Sequence, residues 1–223
     1  MIPQGRVAET FFSIQGEGPT AGLPAVFIRL QGCSVGCQWC DTRYSWDPGQ
    51  GDSVDVSRLL AQALGHPCRR VVITGGEPLE SSLFESLLSS LHSDGFTIEV
   101  ETSATVAPTP EARALPVQWN ASPKLASSGV PEERRLRPEA IEALRDLDTW
   151  WKLVVAGPPD LQEALSLVKH FALPAERVLL QPEAARREDL IERSPWLVEQ
   201  CKRHGFRFSP RLHILLWGPR RGV

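Results

Sequence analysis

The sequence predicts an α/β fold: a mostly parallel sheet covered by helices and curled into an incomplete barrel. Short β-branched runs alternate with amphipathic stretches of helical period along the chain, and no internal repeat or low-complexity segment interrupts them. The helical stretches are short and the connections long, which favours an open barrel over a closed one.

Strands are expected at 26–30, within an apolar run starting at Ala25, then at 70–74, 97–101, 117–121, 150–155 and 177–181, with a shorter run at 207–209. Helices are expected between them at 56–64, 81–92, 138–146, 160–171 and 188–204. Asp160, with Glu163 three residues later, reads as an N-cap with a capping-box partner.

At 223 residues, 42% hydrophobic and 23% charged, the chain can bury a sizeable core as one domain spanning 1–223. A formal charge of -3, with no run of five like charges, argues against a nucleic-acid surface. No apolar stretch approaches the roughly 18 residues of a membrane span, and the N-terminus lacks the apolar core of a signal peptide, so a cytoplasmic location and no membrane partner are expected. Five cysteines, three of them crowded together, fit a reducing compartment and a metal site better than a disulfide framework. Cys68 and Cys201 read as ordinary thiols.

Those three are Cys33, Cys37 and Cys40, inside eight residues directly after the first expected strand. Thiolates select zinc, copper(I) or iron-sulfur clusters, and no fourth ligand is close by. A structural zinc site wants four protein ligands, whereas a 4Fe-4S cluster on three cysteines leaves one iron open for chemistry. A zinc knuckle with a distant ligand, a disulfide plus a spare thiol, or three buried cysteines are the alternatives on the loop alone.

In parallel α/β folds chemistry collects at the carboxyl ends of strands. There the chain places Gly75-Gly76-Glu77-Pro78, Thr102-Ser103-Ala104, Ser122-Pro123-Lys124 and Gln181-Pro182-Glu183. Paired glycines let backbone approach a ligand, and Glu77 is an acceptor for an ammonium group, although each segment also reads as a plain turn. Lys152, between Trp151 and Leu153, requires a partner if buried. Trp39 either shields the thiol loop or joins the core, and Trp150, Trp151, Trp196 and Trp217 read as packing residues.

The spacing CxxxCxxC resembles the signature of the radical S-adenosylmethionine (SAM) enzymes. Together with Gln15-Gly16-Glu17-Gly18, Cys40-Asp41-Thr42 and the ending Leu212-His213 to Trp217-Gly218 and Arg221-Gly222-Val223, it makes the chain similar to the 7-carboxy-7-deazaguanine synthases over nearly its whole length. The resemblance implies a partial TIM-type barrel with a radical SAM core. The reaction it implies is the radical ring contraction of 6-carboxy-5,6,7,8-tetrahydropterin to 7-carboxy-7-deazaguanine with loss of ammonia, on the 7-deazapurine route to queuosine.

It also implies a 4Fe-4S cluster on Cys33, Cys37 and Cys40, and Mg2+ at Thr42. S-adenosylmethionine contacts would fall at Gly75, Gly76, Glu77, Ala104, Ser122, Pro123, Lys124 and Gln181. Ile14, Gln15, Gly16, Glu17, Thr102, His213 and Val223 would surround the pterin, with Arg29 pairing its carboxylate as a planar fork on a planar anion. A homodimer and a flavodoxin- or ferredoxin-like electron donor are the implied partners. Ala104 stands where the family often has glycine, and Arg211 and Ile214 stand where glutamine and lysine are more usual. Two other classes remain: a radical activase acting on a partner protein, which the "QGEG" segment and "RGV" ending oppose, and a non-catalytic zinc or iron-sulfur module.

Overall fold

The computed structural model describes residues 4–223. The strands are β1 (Gln4–Ile14), β2 (Pro24–Leu30), β3 (Asp52–Asp55), β4 (Arg70–Gly75), β5 (Thr97–Thr102), β6 (Val117–Ala121), β7 (Thr149–Val155), β8 (Val178–Pro182) and β9 (Arg207–Phe208). Helices α1 (Val56–Leu64), α2 (Phe84–Ser93), α3 (Pro110–Arg113), α4 (Glu132–Arg135), α5 (Pro138–Arg145), α6 (Pro158–His170), α7 (Arg187–His204) and α8 (Leu212–Trp217) lie between or after them. Among the described residues the strands form one sheet in the order β3-β1-β2-β4-β5-β6-β7-β8-β9. β1 runs antiparallel to both its neighbours, and from β2 to β9 every pairing is parallel. The ends β3 and β9 do not pair with each other, so the barrel stays open as expected.

Side chains alternate across the sheet with period two, and the two faces have opposite character. Val26, Ile28, Val71, Ile73, Ile98, Val100, Trp119, Trp151, Leu153 and Leu180 point one way and share one core with Leu59, Leu87, Leu88, Leu144, Leu161 and Leu197 of the covering helices. The intervening residues Arg29, Thr74, Glu101, Asn120, Lys152 and Gln181 line a cavity on the other face. Gaps between an open sheet's strands do not need filling by packed apolar layers, so this polar interior is available to a ligand.

Two strands and three helices lie outside the sequence expectation. β1 shows little apolar alternation, and β3 has four residues, three of them polar, held by its pairing with β1. Helices α3, α4 and α8 span six residues or fewer, too short to show a helical period. Asp160 is not an N-cap. Gly157 holds that position, Pro158 and Pro159 follow where no amide is needed, and Asp160 reaches back to accept from Ala156 N at 2.7 Å. Glu163 accepts instead from Ala126 N at 2.7 Å and pairs with Arg135 at 2.6 Å. Trp119 and Trp151 are core residues, but Trp150 lies between the guanidinium groups of Arg177 and Arg207, 4.8 and 4.7 Å from its centroid, and Trp217 is 40% exposed. No helix among the described residues is long and apolar enough to cross a membrane.

Candidate active site

The cysteine loop leaves the end of β2 and is fastened at both sides. Gly32 N and Cys33 N donate to Ser45 O and Trp46 O, Gln38 N donates to Ser128 O, and Glu77 N donates to Gly32 O. Gly36 adopts φ +73°, a left-handed turn suited to glycine. Cys33, Cys37 and Cys40 are free thiols that line one cavity, with Val35, Val130 and Trp39 packed around them. Burial pushes the Cys33 and Cys37 thiols above their ordinary range. Lys124 Nζ sits 5.9 Å from the Trp39 ring centroid, on the cavity side of the loop.

Gly75 and Gly76 bring the end of β4 against this loop. A Cβ on Gly76 would meet Gly32 O at 2.1 Å and Cys33 Cβ at 2.5 Å, and one on Gly75 would meet Leu30 O at 2.4 Å. The pair is therefore a close approach of two backbones. Gly76→Ala is expected to displace the cysteine loop and to cost about 1–3 kcal/mol, as overpacking does, measurable as a lowered unfolding midpoint together with impaired cluster reconstitution.

Glu77 does not face the cavity, contrary to the expectation that its carboxylate holds an ammonium group. It is fully buried and accepts from Leu79 N at 3.2 Å, Thr102 Oγ1 at 2.8 Å and Ser103 N at 2.7 Å, with Ser103 Oγ as a fourth donor. Burial raises its pKa, against these hydrogen bonds. Its task is to tie the end of β5 to the turn after β4, which places the Thr102 and Gly76 backbones. Ala104 and Pro123 likewise lie off the cavity wall, while Ser122, Lys124 and Gln181 are on it. Ala104 is buried at φ +59°, a left-handed conformation in which glycine carries no Cβ penalty. Lys124 donates to Ser122 Oγ at 3.0 Å, and Gln181 Oε1 accepts from Ser209 at 3.0 Å.

Across the cavity, the turn after β1 carries Gln15, Gly16 and Glu17. Gln15 donates to Glu101 Oε1 at 3.2 Å, and Glu101 also accepts from Thr74 at 2.9 Å. A Cβ on Gly16 would meet His213 Nδ1 at 2.1 Å, so this glycine lets the ring of α8 close over the turn. Glu17 accepts from Lys152 Nζ, which supplies the partner that the buried lysine requires, and from Arg211 Nε at 2.8 Å. Arg211 bridges on to Asp41 and to Ala184 O. Burial opposes the charge on Glu17, but Lys152, Arg211 and His213 outweigh it and hold its pKa well below the ordinary value. Lys152 is held above its ordinary value by Glu17, despite burial. Burial lowers the pKa of His213, against the attraction of Glu17.

Arg29 lies on the cavity wall and donates from Nε to Glu9 Oε1 at 2.8 Å, which fixes the plane of its guanidinium. Thr42 lines the cavity beside the loop, with Oγ1 3.5 Å from Cys40 Sγ. Ile14, Thr102 and Val223 line it as well. Thus all the expected site residues except Glu77, Ala104 and Pro123 meet around one cavity of about 300 Å³. Sequence reasoning missed Glu9, Tyr44 and Glu101. Only Glu101 carried a signal, since it stands two residues after Glu99 on one face of β5.

No three His, Cys, Asp or Glu side chains among the described residues converge tightly enough for a single metal ion. Cys33, Cys37 and Cys40 instead share one cavity wall, and three thiolates of this kind fit the ligand set of an iron-sulfur cluster. The apolar shell of Val35, Val130 and Trp39 fits the same group.

The Radical SAM superfamily model matches residues 27–115. A 7-carboxy-7-deazaguanine synthase of Pyrobaculum aerophilum is 40% identical, with 99% of this chain and 98% of that one aligned. The Escherichia coli K12 protein of the same name is 31% identical over 94% of this chain and 97% of its own length. The crystal structure of QueE from Escherichia coli superposes with a TM-score of 0.73 at 28% identity, covering 94% of this chain and 95% of that one. The cysteine loop at the end of β2, alignment over nearly the full length of both chains and the matching fold converge: the chain belongs to the 7-carboxy-7-deazaguanine synthase family of the radical SAM superfamily.

Proposed function

We propose that this chain, as a single domain, contracts 6-carboxy-5,6,7,8-tetrahydropterin to 7-carboxy-7-deazaguanine with release of ammonia and no net oxidation or reduction, on the route to queuosine. The observation that carries this reading is that the thiol loop and Arg29, a cation suited to a carboxylate, line the same cavity. Cys33, Cys37 and Cys40 would hold a 4Fe-4S cluster, and Gly75, Gly76, Ser122, Lys124 and Gln181 would bound S-adenosylmethionine. When bound, this pair would supply radical chemistry for abstracting the hydrogen at C6 of the pterin. Thr42 would add an oxygen to Mg2+, a hard cation that keeps most of its waters.

The protein's own work is orientation and exclusion of water. Arg29, its plane fixed by Glu9, grips the pterin carboxylate and so sets which carbon faces the loop. Gln15, Gly16 and Thr102 contact the ring. Glu17 is already engaged by Lys152 and Arg211, so its main effect on the pterin is to position those cations. Lys152 Nζ, kept protonated by Glu17, carries a proton that a departing amine needs, and the His213 ring closes the same wall. A homodimer, a flavodoxin- or ferredoxin-like electron donor and a cytoplasmic location complete the proposal.

Reconstituted enzyme given reductant, S-adenosylmethionine, Mg2+ and the pterin acid is expected to form 7-carboxy-7-deazaguanine and equimolar ammonia, followed by mass and by ammonia assay. Cleavage of S-adenosylmethionine to 5'-deoxyadenosine with the pterin untouched would reject this substrate.

A further inference from the structure

Glu9 joins two parts of the cavity that lie far apart in sequence. Its Oε1 accepts from Arg29 Nε at 2.8 Å and from the Tyr44 hydroxyl at 2.6 Å. Its Oε2 lies 3.5 Å from Arg221 Nε, and the Arg221 guanidinium lies over the Tyr44 ring, 3.6 Å from the centroid. The segment 218–223 is therefore pinned by the same carboxylate that orients Arg29. Gly218 opens it at φ +67° and Gly222 follows Arg221 at φ +71°, and a Cβ at either would meet nothing within 4 Å.

The charges give this contact a direction. Arg29 and Glu9 cancel, and Glu101, whose field also reaches Arg29, adds negative potential. Arg29, Glu9 and Glu101 together carry one net negative charge, and seating Arg221 cancels it, removing the repulsion that a ligand carboxylate would otherwise meet. Arg221 is 57% exposed on its side chain, and an exposed pair at 3.5 Å contributes little alone. The seat is thus weak by itself.

We propose that Arg221 is a closing member of the ligand-carboxylate receptor. A carboxylate held by Arg29 draws segment 218–223 onto Tyr44 and Glu9, and the seated segment in turn tightens the carboxylate's binding. Glu9 is the positioning residue that links the two. Coupling of this kind is reciprocal, so ligand must protect the segment by the same factor that the segment favours ligand. The inference rests on the assignment of Arg29 made above.

The test uses the full chain with its cluster reconstituted and two stable probes, 6-carboxypterin and pterin, which differ only in the carboxylate. Hydrogen exchange of the amides in 218–223 should slow with 6-carboxypterin and stay unchanged with pterin. Arg221→Ala should raise KM for the pterin acid about tenfold, equivalent to about 1.4 kcal/mol, with the loss falling on KM rather than kcat, and Arg221→Lys should recover part of it. Equal protection by both probes, protection by neither, or an unchanged KM in Arg221→Ala overturns the coupling. Wild-type turnover in the same preparations separates the two failures. If wild type makes product and Arg221→Ala matches it, only the coupling falls; if wild type makes none, the functional reading falls and takes the coupling with it.

Discussion

Glu17→Gln is expected to lower the unfolding free energy by about 3 kcal/mol, the lower end of what breaking a buried ion pair from one side costs. Lys152 and Arg211 are 8% exposed each, and both lean on this one carboxylate. Once that charge is neutralised, Asp41 is the one carboxylate still bonded to either buried cation, and it reaches only Arg211. For a domain of this size the midpoint should fall by about 6–12 °C, read by calorimetry on the apoprotein. Lys152→Met in the Glu17→Gln background should recover part of the loss, because it removes the orphaned cation; no recovery would show that Glu17 acts through packing rather than charge. The same network sets the acid limb. Glu17 and Asp41 are held below their ordinary values, against burial, mainly by Lys152 and Arg211 for Glu17 and by Arg211 for Asp41. Their contribution is therefore complete above the unfolded carboxylate range and is lost as pH falls through their folded values. His213, lowered by burial, adds to that loss below its ordinary value of 6.5. Glu17→Gln should flatten the decline in stability between neutral and acid pH.

Cys33→Ala should abolish cleavage of S-adenosylmethionine while leaving the fold intact. The side chain lies on a cavity wall rather than in the main core, so deleting its sulfur should cost only about 1 kcal/mol. Under the proposed ligation, its loss should reduce cleavage by more than the roughly 10–100-fold typical of supporting contacts around a metal. Cys68→Ala is the matched control, since that thiol donates to Pro24 O and lies off the cavity. Comparable loss of cleavage in both variants would mean that Cys33 matters for folding and not for the cluster.

The sequence was most legible where one face of an element meets the core. β4, β5, β6 and β7 carry an apolar residue at every second position on that face, and their observed bounds fall within a residue of expectation. β1 was hidden because most of its residues are only half-buried and its partners, β2 and β3, are antiparallel neighbours with no helix between. The cysteine loop and the paired glycines were readable because their chemistry depends on local spacing. Side-chain direction was not. Glu77 turns inward because Thr102 and Ser103, from the next strand, offer it four hydrogen bonds with the Leu79 amide, and no feature of Gly75-Gly76-Glu77 announces that. The Lys152–Glu17 and Glu9–Arg221 contacts join residues that only the sheet order brings together.

In the proposed reaction one cavity presents C6 of the pterin acid to the radical source at the cysteine loop. Deuterium placed at C6 tests it most directly. During anaerobic turnover the label should appear in 5'-deoxyadenosine or in recovered S-adenosylmethionine, alongside 7-carboxy-7-deazaguanine. Product formed with no deuterium in either adenosyl species would contradict the account, because the hydrogen facing the loop would then not be the one at C6.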